Sequence, residues 1–311
     1  MNSDSGPVEV TVIIVSYNTR ELTLRAIETL LANAGAVAMK VIIWDNASKD
    51  GSADAIAARF PELELVRSEE NLGFGKPHNI LAKSIDTEWM LLLNSDTETH
   101  PDAVEDLLAF AQQHPDMGIY GGRTVFADGS LNPTSCWNRM TPWSIFCQAV
   151  GLSMMFKQSP VFNPEGIGGW QRDSVREVDL VTGCFFLLRT ELWHELGGFK
   201  PNYFMYGEET DLCMRASKLG YRHMITPDAQ IMHLGGASAT HRDTRVVQVM
   251  RSKASLIRDH WESSMVPIGI GLLWLWIAIR RLASFVPGYD KGKAEVWRSV
   301  WRQRKDWLAG Y

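Results

Sequence analysis

The sequence predicts an α/β fold built on a doubly wound, mostly parallel sheet. Three observations predict it. Apolar runs of strand length, rich in β-branched residues, alternate with stretches of helical periodicity through the first 115 residues. The runs are continuous rather than polar at every second position, the pattern of strands covered on both faces. Each run ends in polar or flexible residues, and that end is where an open α/β sheet holds its ligand.

The elements follow in order. Val10 to Ser16 (VTVIIVS) is the first strand, and a helix follows it with Leu22, Ile27, Leu30 and Leu31 on one side and Ala34-Gly35 as its stop. Lys40 to Trp44 is a second strand, which completes a βαβ unit. Ser52 is placed to cap a helix reaching Phe60, Leu63 to Val66 is a short strand, Lys76 to Ser84 a helix, Trp89 to Leu93 a fourth strand, and Pro101 opens a helix through Phe110. Parallel neighbours require crossover connections of this kind. Arg123 to Gln171, rich in Gly, Pro, Trp and Met without a period, reads as a long excursion that covers a site. Val178 to Leu188 is an apolar strand interrupted at Thr182-Gly183-Cys184; a helix from Thr190 to Leu196 stops at Gly197-Gly198, another runs from Glu209 to Leu219, and Tyr221 to Thr226 is a short strand. The chain thus divides into an α/β domain over 1–245 and a helical extension over 246–311.

Composition narrows the class. With 45% hydrophobic and 22% charged positions, the 311 residues describe a folded chain and exclude disorder or a collagen-like repeat. The net charge of −5 argues against the uniformly basic surface of a nucleic-acid binder, so no nucleic-acid partner is expected. Charge is uneven, however: from Arg280 to Tyr311 there are eight basic and three acidic residues, so this end seeks anions. The four cysteines, Cys136, Cys147, Cys184 and Cys213, have no metal-like spacing and read as reduced, packed thiols. MNSDSGPVEV shows neither a basic nor an apolar leader pattern, so a cytoplasmic location is expected.

Met265 to Ile279 is fifteen residues without a charge, about 22 Å as a helix and short of the hydrocarbon core. Six of the twelve tryptophans fall within the last 51 positions among basic side chains. That combination suits a segment lying in the headgroup zone, so the expected partner is an anionic membrane surface, bound peripherally at the inner face of the cell membrane. The competing reading is a core helix docked on the catalytic domain. Under the membrane reading, cutting the chain after Asp259 leaves the ligand site at the strand ends intact.

The strand ends carry the candidate chemistry. Ser16-Tyr17-Asn18, Asp45-Asn46, Asn71 to Gly75 and Asn94-Ser95-Asp96 follow the four strands in turn. No GxGxxG follows the first strand and no GxxxxGK[ST] occurs, which excludes the dinucleotide oxidoreductases and P-loop NTPases that depend on those cradles. Asp96 is placed to present a carboxylate to a hard divalent cation held against a diphosphate. Glu208, Glu209 and Asp211 open a helix after the aromatic stretch Tyr203 to Tyr206, and crowded carboxylates beside rings suit a general base. His233, ahead of Gly235-Gly236-x-Ser238, is a candidate metal ligand.

VTVIIVSYNT, WDNASKDGS, NLGFGKPHN, LLLNSDTE, VTGCFFLLR, ELGGF and YGEETDLCMR, in this order, resemble the inverting family 2 glycosyltransferases of the GT-A fold, with greatest similarity to bacterial rhamnosyltransferases of cell-wall and O-antigen assembly. The resemblance covers roughly residues 8 to 240. It implies that Ser16, Tyr17 and Asn18 line the base and ribose, that Asp45 accepts from the imide N–H of uracil or thymine, and that Asn71, Gly73, Phe74 and Lys76 fold over the donor. Asn94, Ser95 and Asp96 stand at the DxD motif, with Asn94 in place of its first acid. Asp96 and His233 then hold Mn²⁺ or Mg²⁺. Thr182 and Gly183 shape the sugar pocket, while Cys184 packs. The second acid of the Glu-Asp pair that serves as base in relatives is here the longer Glu209, with Glu208 beside it. The implied reaction moves a sugar, L-rhamnose from dTDP-L-rhamnose foremost, to a lipid-linked or polysaccharide hydroxyl. The alternatives are a transferase using a UDP-hexose or UDP-N-acetylhexosamine, since both pyrimidines present the same imide edge, or an inactive nucleotide-sugar-binding module.

Overall fold

A computed structural model describes residues 8–235 and 242–311; Gly236 and Ser238, named above, lie outside the described residues. In chain order the elements are β1 (Val10–Ser16), α1 (Arg20–Ala32), β2 (Met39–Asp45), α2 (Ser52–Arg59), β3 (Glu64–Arg67), α3 (Gly75–Leu81), β4 (Trp89–Asn94), β5 (Thr97–Thr99), α4 (Ala103–Gln113) and β6 (Met117–Val125). Then come β7 (Cys136–Trp137), α5 (Pro142–Val150), α6 (Leu152–Met155), β8 (Arg176–Val178), β9 (Leu180–Val181), β10 (Phe185–Arg189), α7 (Thr190–Leu196), α8 (Glu208–Lys218) and β11 (Arg222–His233). The helices α9 (Arg242–His260), α10 (Val266–Ala283), α11 (Lys291–Arg302) and α12 (Arg304–Ala309) follow.

The chain forms two compact units: one of residues 1–136, 171–201 and 212–238, the other of residues 137–170, 202–211 and 239–311. The first is built on a sheet in the order β3-β2-β1-β4-β10-β6-β11-β5, with β8 on β11. β3, β2, β1 and β4 are parallel throughout, as the βαβ reading requires. β10 enters antiparallel between β4 and β6. Register fixes the ligand edge: Ser16 pairs with Asp45, and Val15 with Asn94. Val10, Val12 and Ile14 reach the core on one face with Ile27 and Leu30 of α1. Leu31, expected on that face, is exposed, and Leu24 takes the core position instead. Ser52 is the first residue of α2 rather than its cap; Gly51 caps in a left-handed conformation, and Asp50 accepts from the Ser52 N–H.

One strand is missed by the sequence reading and another exceeds its predicted extent. β6 occupies the start of the presumed excursion, hidden in the sequence by its glycines. A Cβ at Gly122 would lie 2.1 Å from the Ala229 carbonyl oxygen and 2.9 Å from the Phe185 ring, so glycine here permits close strand approach rather than a turn. β11 continues past Pro227 through a register shift between Thr226 and Gln230, and its second half pairs with β5, His233 opposite Thr97. That continuation delivers His233 to the ligand edge.

The second unit is helical. Met140, Ile145, Tyr203, Val247, Leu256, Ile257, Leu273, Ile277, Val300 and Trp307 share one core, so α9 to α12 are folded together with the 137–170 excursion and are no loose tail. The fully buried Trp307 donates its indole N–H to the Val300 carbonyl at 2.9 Å. Cutting after Asp259 would remove Leu273, Ile277, Val300 and Trp307 from this core, so the cut disrupts the second unit, whereas the predicted donor residues belong to the first. α10 spans eighteen residues, longer than the uncharged run, because Arg280 and Arg281 form its last turn. At about 27 Å it is long and apolar enough to cross a membrane by length and composition. Gly269, Leu273, Ile277 and Ala278 are buried, and Ile268, Trp274 and Leu282 are exposed. One face is docked; the other is largely exposed among the described residues, with Trp274 against the Trp301 ring at 5.6 Å between centroids.

Candidate active site

The first unit gathers the predicted donor residues at the carboxyl ends of β1, β2 and β4. Asp45 is 3% exposed; its Oδ2 accepts from the Ser48 N–H at 3.0 Å, while its buried Oδ1 has no partner among the described residues. A buried carboxylate oxygen left open costs free energy unless a ligand donor fills it. Asn18, at φ +52°, accepts from the Lys49 N–H through Oδ1 at 2.7 Å and donates its own N–H to Ser48 Oγ at 2.9 Å, lacing the loops after β1 and β2 together. Ser16 faces inward: its hydroxyl meets Thr23 Oγ1 at 2.9 Å, so it shapes the β1–α1 turn, and Tyr17 and Asn18 are the residues at the surface.

Asn46 organises the next loop, a role the sequence reading missed. Its Oδ1 accepts from the Leu72 N–H at 2.9 Å, and its Nδ2 donates to the Gly73 carbonyl at 2.8 Å. Asn71 Oδ1 closes a tight turn on the Gly73 N–H at 2.9 Å, with Gly73 at φ +80°. Phe74 lies 4.5 Å from the His78 ring and 6.0 Å from Phe199 between centroids, and Lys76 is exposed. Full burial depresses His78 to about 4, outweighing the bond to the Phe74 carbonyl, so its ring is neutral packing for this loop. Its position inside the donor motif gave the only sequence signal.

At the end of β4, the structure brings Asp96 and His233 together. Their Oδ1 and Nε2 atoms are 3.3 Å apart, and Asn94 Nδ2 lies 3.4 Å from the same Nε2. Ser95 turns to Thr19, 3.2 Å between hydroxyls. Burial would lower the His233 pKa, but contacts with Cys184 and Asp96 outweigh it and hold the ring up at about 10. Cys184, expected only to pack, therefore also bears on His233. Thr182 Oγ1 is buried without a partner among the described residues, and the adjacent Gly183 is buried. Glu98, the other carboxylate near this edge, is held by Arg25 at 3.1 Å.

The second unit carries the acidic cluster. Tyr206 and Gly207, at φ +68° and +95°, turn the chain into α8, and a side chain on Gly207 would have its Cβ 3.0 Å from Ser252 Cβ. Glu208 is buried, with Oε2 unpartnered among the described residues; Glu209 is partly exposed. Burial raises both carboxyls, and repulsion from Glu209 lifts Glu208 further, so Glu208 retains its proton to higher pH. Asp211 and His260 pair at 2.8 Å, and the Tyr203 hydroxyl donates to Asp259 at 3.2 Å. Asp211, Asp259 and His260 bring one potential ligand atom each within 4.8 Å of one another, a set that could hold a metal ion.

A family model described as "Glycosyltransferase like family 2" matches residues 7–253. The chain belongs to that family. This glycosyltransferase is 28% identical over 221 residues to an N-acetylglucosaminyl-diphospho-decaprenol L-rhamnosyltransferase of Mycobacterium tuberculosis, covering 66% of this chain and 69% of that protein. It is 27% identical to rhamnosyltransferase WbbL of Escherichia coli over 76% of this chain and 85% of that protein. Among solved structures, the mannosyltransferase PcManGT from Pyrobaculum calidifontis, in complex with GDP-Man and Mn2+, matches with a TM-score of 0.54 at 18% identity, over 97% of this chain and 83% of that one. S. aureus TarS matches at 0.52 and 17%, over 96% of this chain and 49% of that one. The fold of this family 2 glycosyltransferase is GT-A, with a helical C-terminal region.

Proposed function

We propose that this enzyme transfers L-rhamnose from dTDP-L-rhamnose to a hydroxyl of a lipid-linked saccharide, with inversion. The convergence of Asp96 and His233 at the end of β4 carries the reading, because it assembles a cation-binding pair where the diphosphate of a nucleotide sugar is expected. A 3.3 Å separation fits two ligands of one ion, and the carboxylate with the imidazole would hold Mn²⁺ or Mg²⁺ once the ring gives up the proton that Cys184 and Asp96 favour in the cation's absence. When bound, that ion supplies positive charge to the departing nucleoside diphosphate. The open Asp45 Oδ1 accepts from the imide N–H of thymine or uracil. Lys76 adds charge near the phosphates, Phe74 covers the donor, and Tyr17, Asn18, Thr182 and Gly183 border the donor. Glu209 takes the proton of the acceptor hydroxyl as its oxygen displaces the diphosphate at the anomeric carbon, and the protonated Glu208 leaves it as the single negative charge of the pair.

The transferred sugar is supported by both rhamnosyltransferases above, and the lipid diphosphate class of the acceptor by the first of them. Peripheral membrane binding is supported by the second unit: Leu282, Phe285 and Val286 are exposed, and the Arg281 guanidinium lies 3.8 Å from the Phe285 ring centroid. Apolar side chains ringed by cations suit an anionic leaflet. A thermal-shift screen of dTDP- and UDP-sugars with Mn²⁺ or Mg²⁺ tests the donor. Stabilisation by dTDP-L-rhamnose above UDP-hexoses and UDP-N-acetylhexosamines is expected; the reverse order overturns the donor assignment.

A further inference from the structure

The segment that carries the acidic pair is held from a distance in sequence. Within the second unit, residues 203 to 211 are fastened to α9 and to Tyr311 at successive points. The Tyr203 hydroxyl donates to Asp259, and burial followed by that carboxylate pushes its phenol well up, so it remains a donor. The Tyr311 hydroxyl donates to the Met205 carbonyl at 3.1 Å, with its ring 5.7 Å from that of Tyr203. The Ser252 hydroxyl donates to the Tyr206 carbonyl. The last point is the Asp211–His260 pair, whose side chains are 0% and 1% exposed.

This last contact differs in kind, because it reaches the helix itself. Asp211 closes the first turn of α8, donating its N–H to the Gly207 carbonyl at 2.8 Å. Its side chain therefore fixes the rotation of the turn on which Glu208 and Glu209 stand. His260 directs Nε2 at Asp211, and its Nδ1 is buried without a partner among the described residues. That arrangement fits an imidazole with its proton on Nε2, donating to the carboxylate. The family match ends at residue 253, so His260 lies outside it.

We propose that His260, through Asp211, is a positioning residue for the catalytic base, so that the C-terminal helices set the geometry of the acidic pair. The proposal rests on the reading of Glu209 as the base. A pair sealed from solvent beneath a strained turn holds its helix in one rotation, and displacing a base by about 1 Å costs on the order of 100-fold in rate.

The test compares His260→Leu, His260→Gln, Asp211→Asn and Glu209→Gln in the full chain by steady-state transfer. His260→Leu should lower kcat by about 10- to 100-fold, with the donor KM within about twofold of wild type. His260→Gln keeps an N–H donor near the Nε2 position and should recover most of that loss, which a role in packing alone would not give. Asp211→Asn, which retains an acceptor and the fold, should fall between them. Wild-type kcat in His260→Leu alongside an inactive Glu209→Gln overturns the inference and leaves the base assignment standing. Full transfer by Glu209→Gln overturns the base assignment, and the inference with it. Equal loss in His260→Leu and His260→Gln, or a rise in donor KM, also contradicts positioning.

Discussion

Two aspartate–histidine pairs, one in each unit, can be set side by side. Asp96 and His233 stand 3.3 Å apart with 11% and 7% of their side chains exposed, and Asn94 shares the same imidazole nitrogen. Asp211 and His260 stand 2.8 Å apart and are sealed. The same two residue types thus occur once as a loose, reachable pair at a sheet edge and once as a tight hydrogen bond inside a helical core. Distance and access separate their roles: an incoming cation needs space and a path, whereas a positioning bond needs neither. Asp259, which would complete a metal set with the second pair, already accepts from Tyr203.

The largest expected effect lies at the residue that the sealed pair serves. Glu209→Gln should cut transfer by about 10²- to 10⁴-fold with donor affinity nearly intact, and Glu208→Gln should do less. Because burial raises Glu209, the wild-type rate should fall on acidification at a pH above the ordinary carboxylate range, with activity present above the raised pKa and lost below it. A pH–rate profile in which Glu209→Gln keeps the same acid limb would detach the base from the second unit.

A smaller effect belongs to the first unit. Asp45→Ala removes the open oxygen, and a hydrogen bond to a charged group contributes about 1.5–3 kcal/mol, so nucleotide affinity should fall about 10- to 100-fold. Isothermal titration with dTDP checks it, and unchanged affinity would remove Asp45 from the base pocket.

The membrane claim carries the smallest effect on catalysis. Leu282→Glu with Phe285→Glu should release the protein from anionic vesicles while the rate on a water-soluble acceptor stays within about twofold, since both side chains are exposed. Flotation at low and high salt measures it. Binding of the double variant equal to wild type would leave α10 as a docked helix only.

The two units also differ in how much the sequence disclosed. β1, β2 and β4 are legible because continuous β-branched runs have one reading, and their ends give Asp45 and Asp96 directly. Gly118, Gly121 and Gly122 conceal β6, since a glycine chosen for close approach looks the same as one chosen for a turn. Pro227 hides the second half of β11, so residue type and family resemblance single out His233, and its strand does not. Asn46 looked like one more turn residue until its two bonds to the next loop were visible. Asp211 and His260 are 49 positions apart with no shared motif, and the basic, tryptophan-rich composition pointed to lipid rather than to a core. Long-range polar pairing leaves no periodicity to read.

Mn²⁺ binding measured by equilibrium dialysis in wild type, Asp96→Ala and His260→Leu tests the central division between the pairs most directly. The donor-linked Mn²⁺ equivalent should be lost in Asp96→Ala and retained in His260→Leu. Retention in Asp96→Ala with loss in His260→Leu would place the metal in the second unit and contradict it.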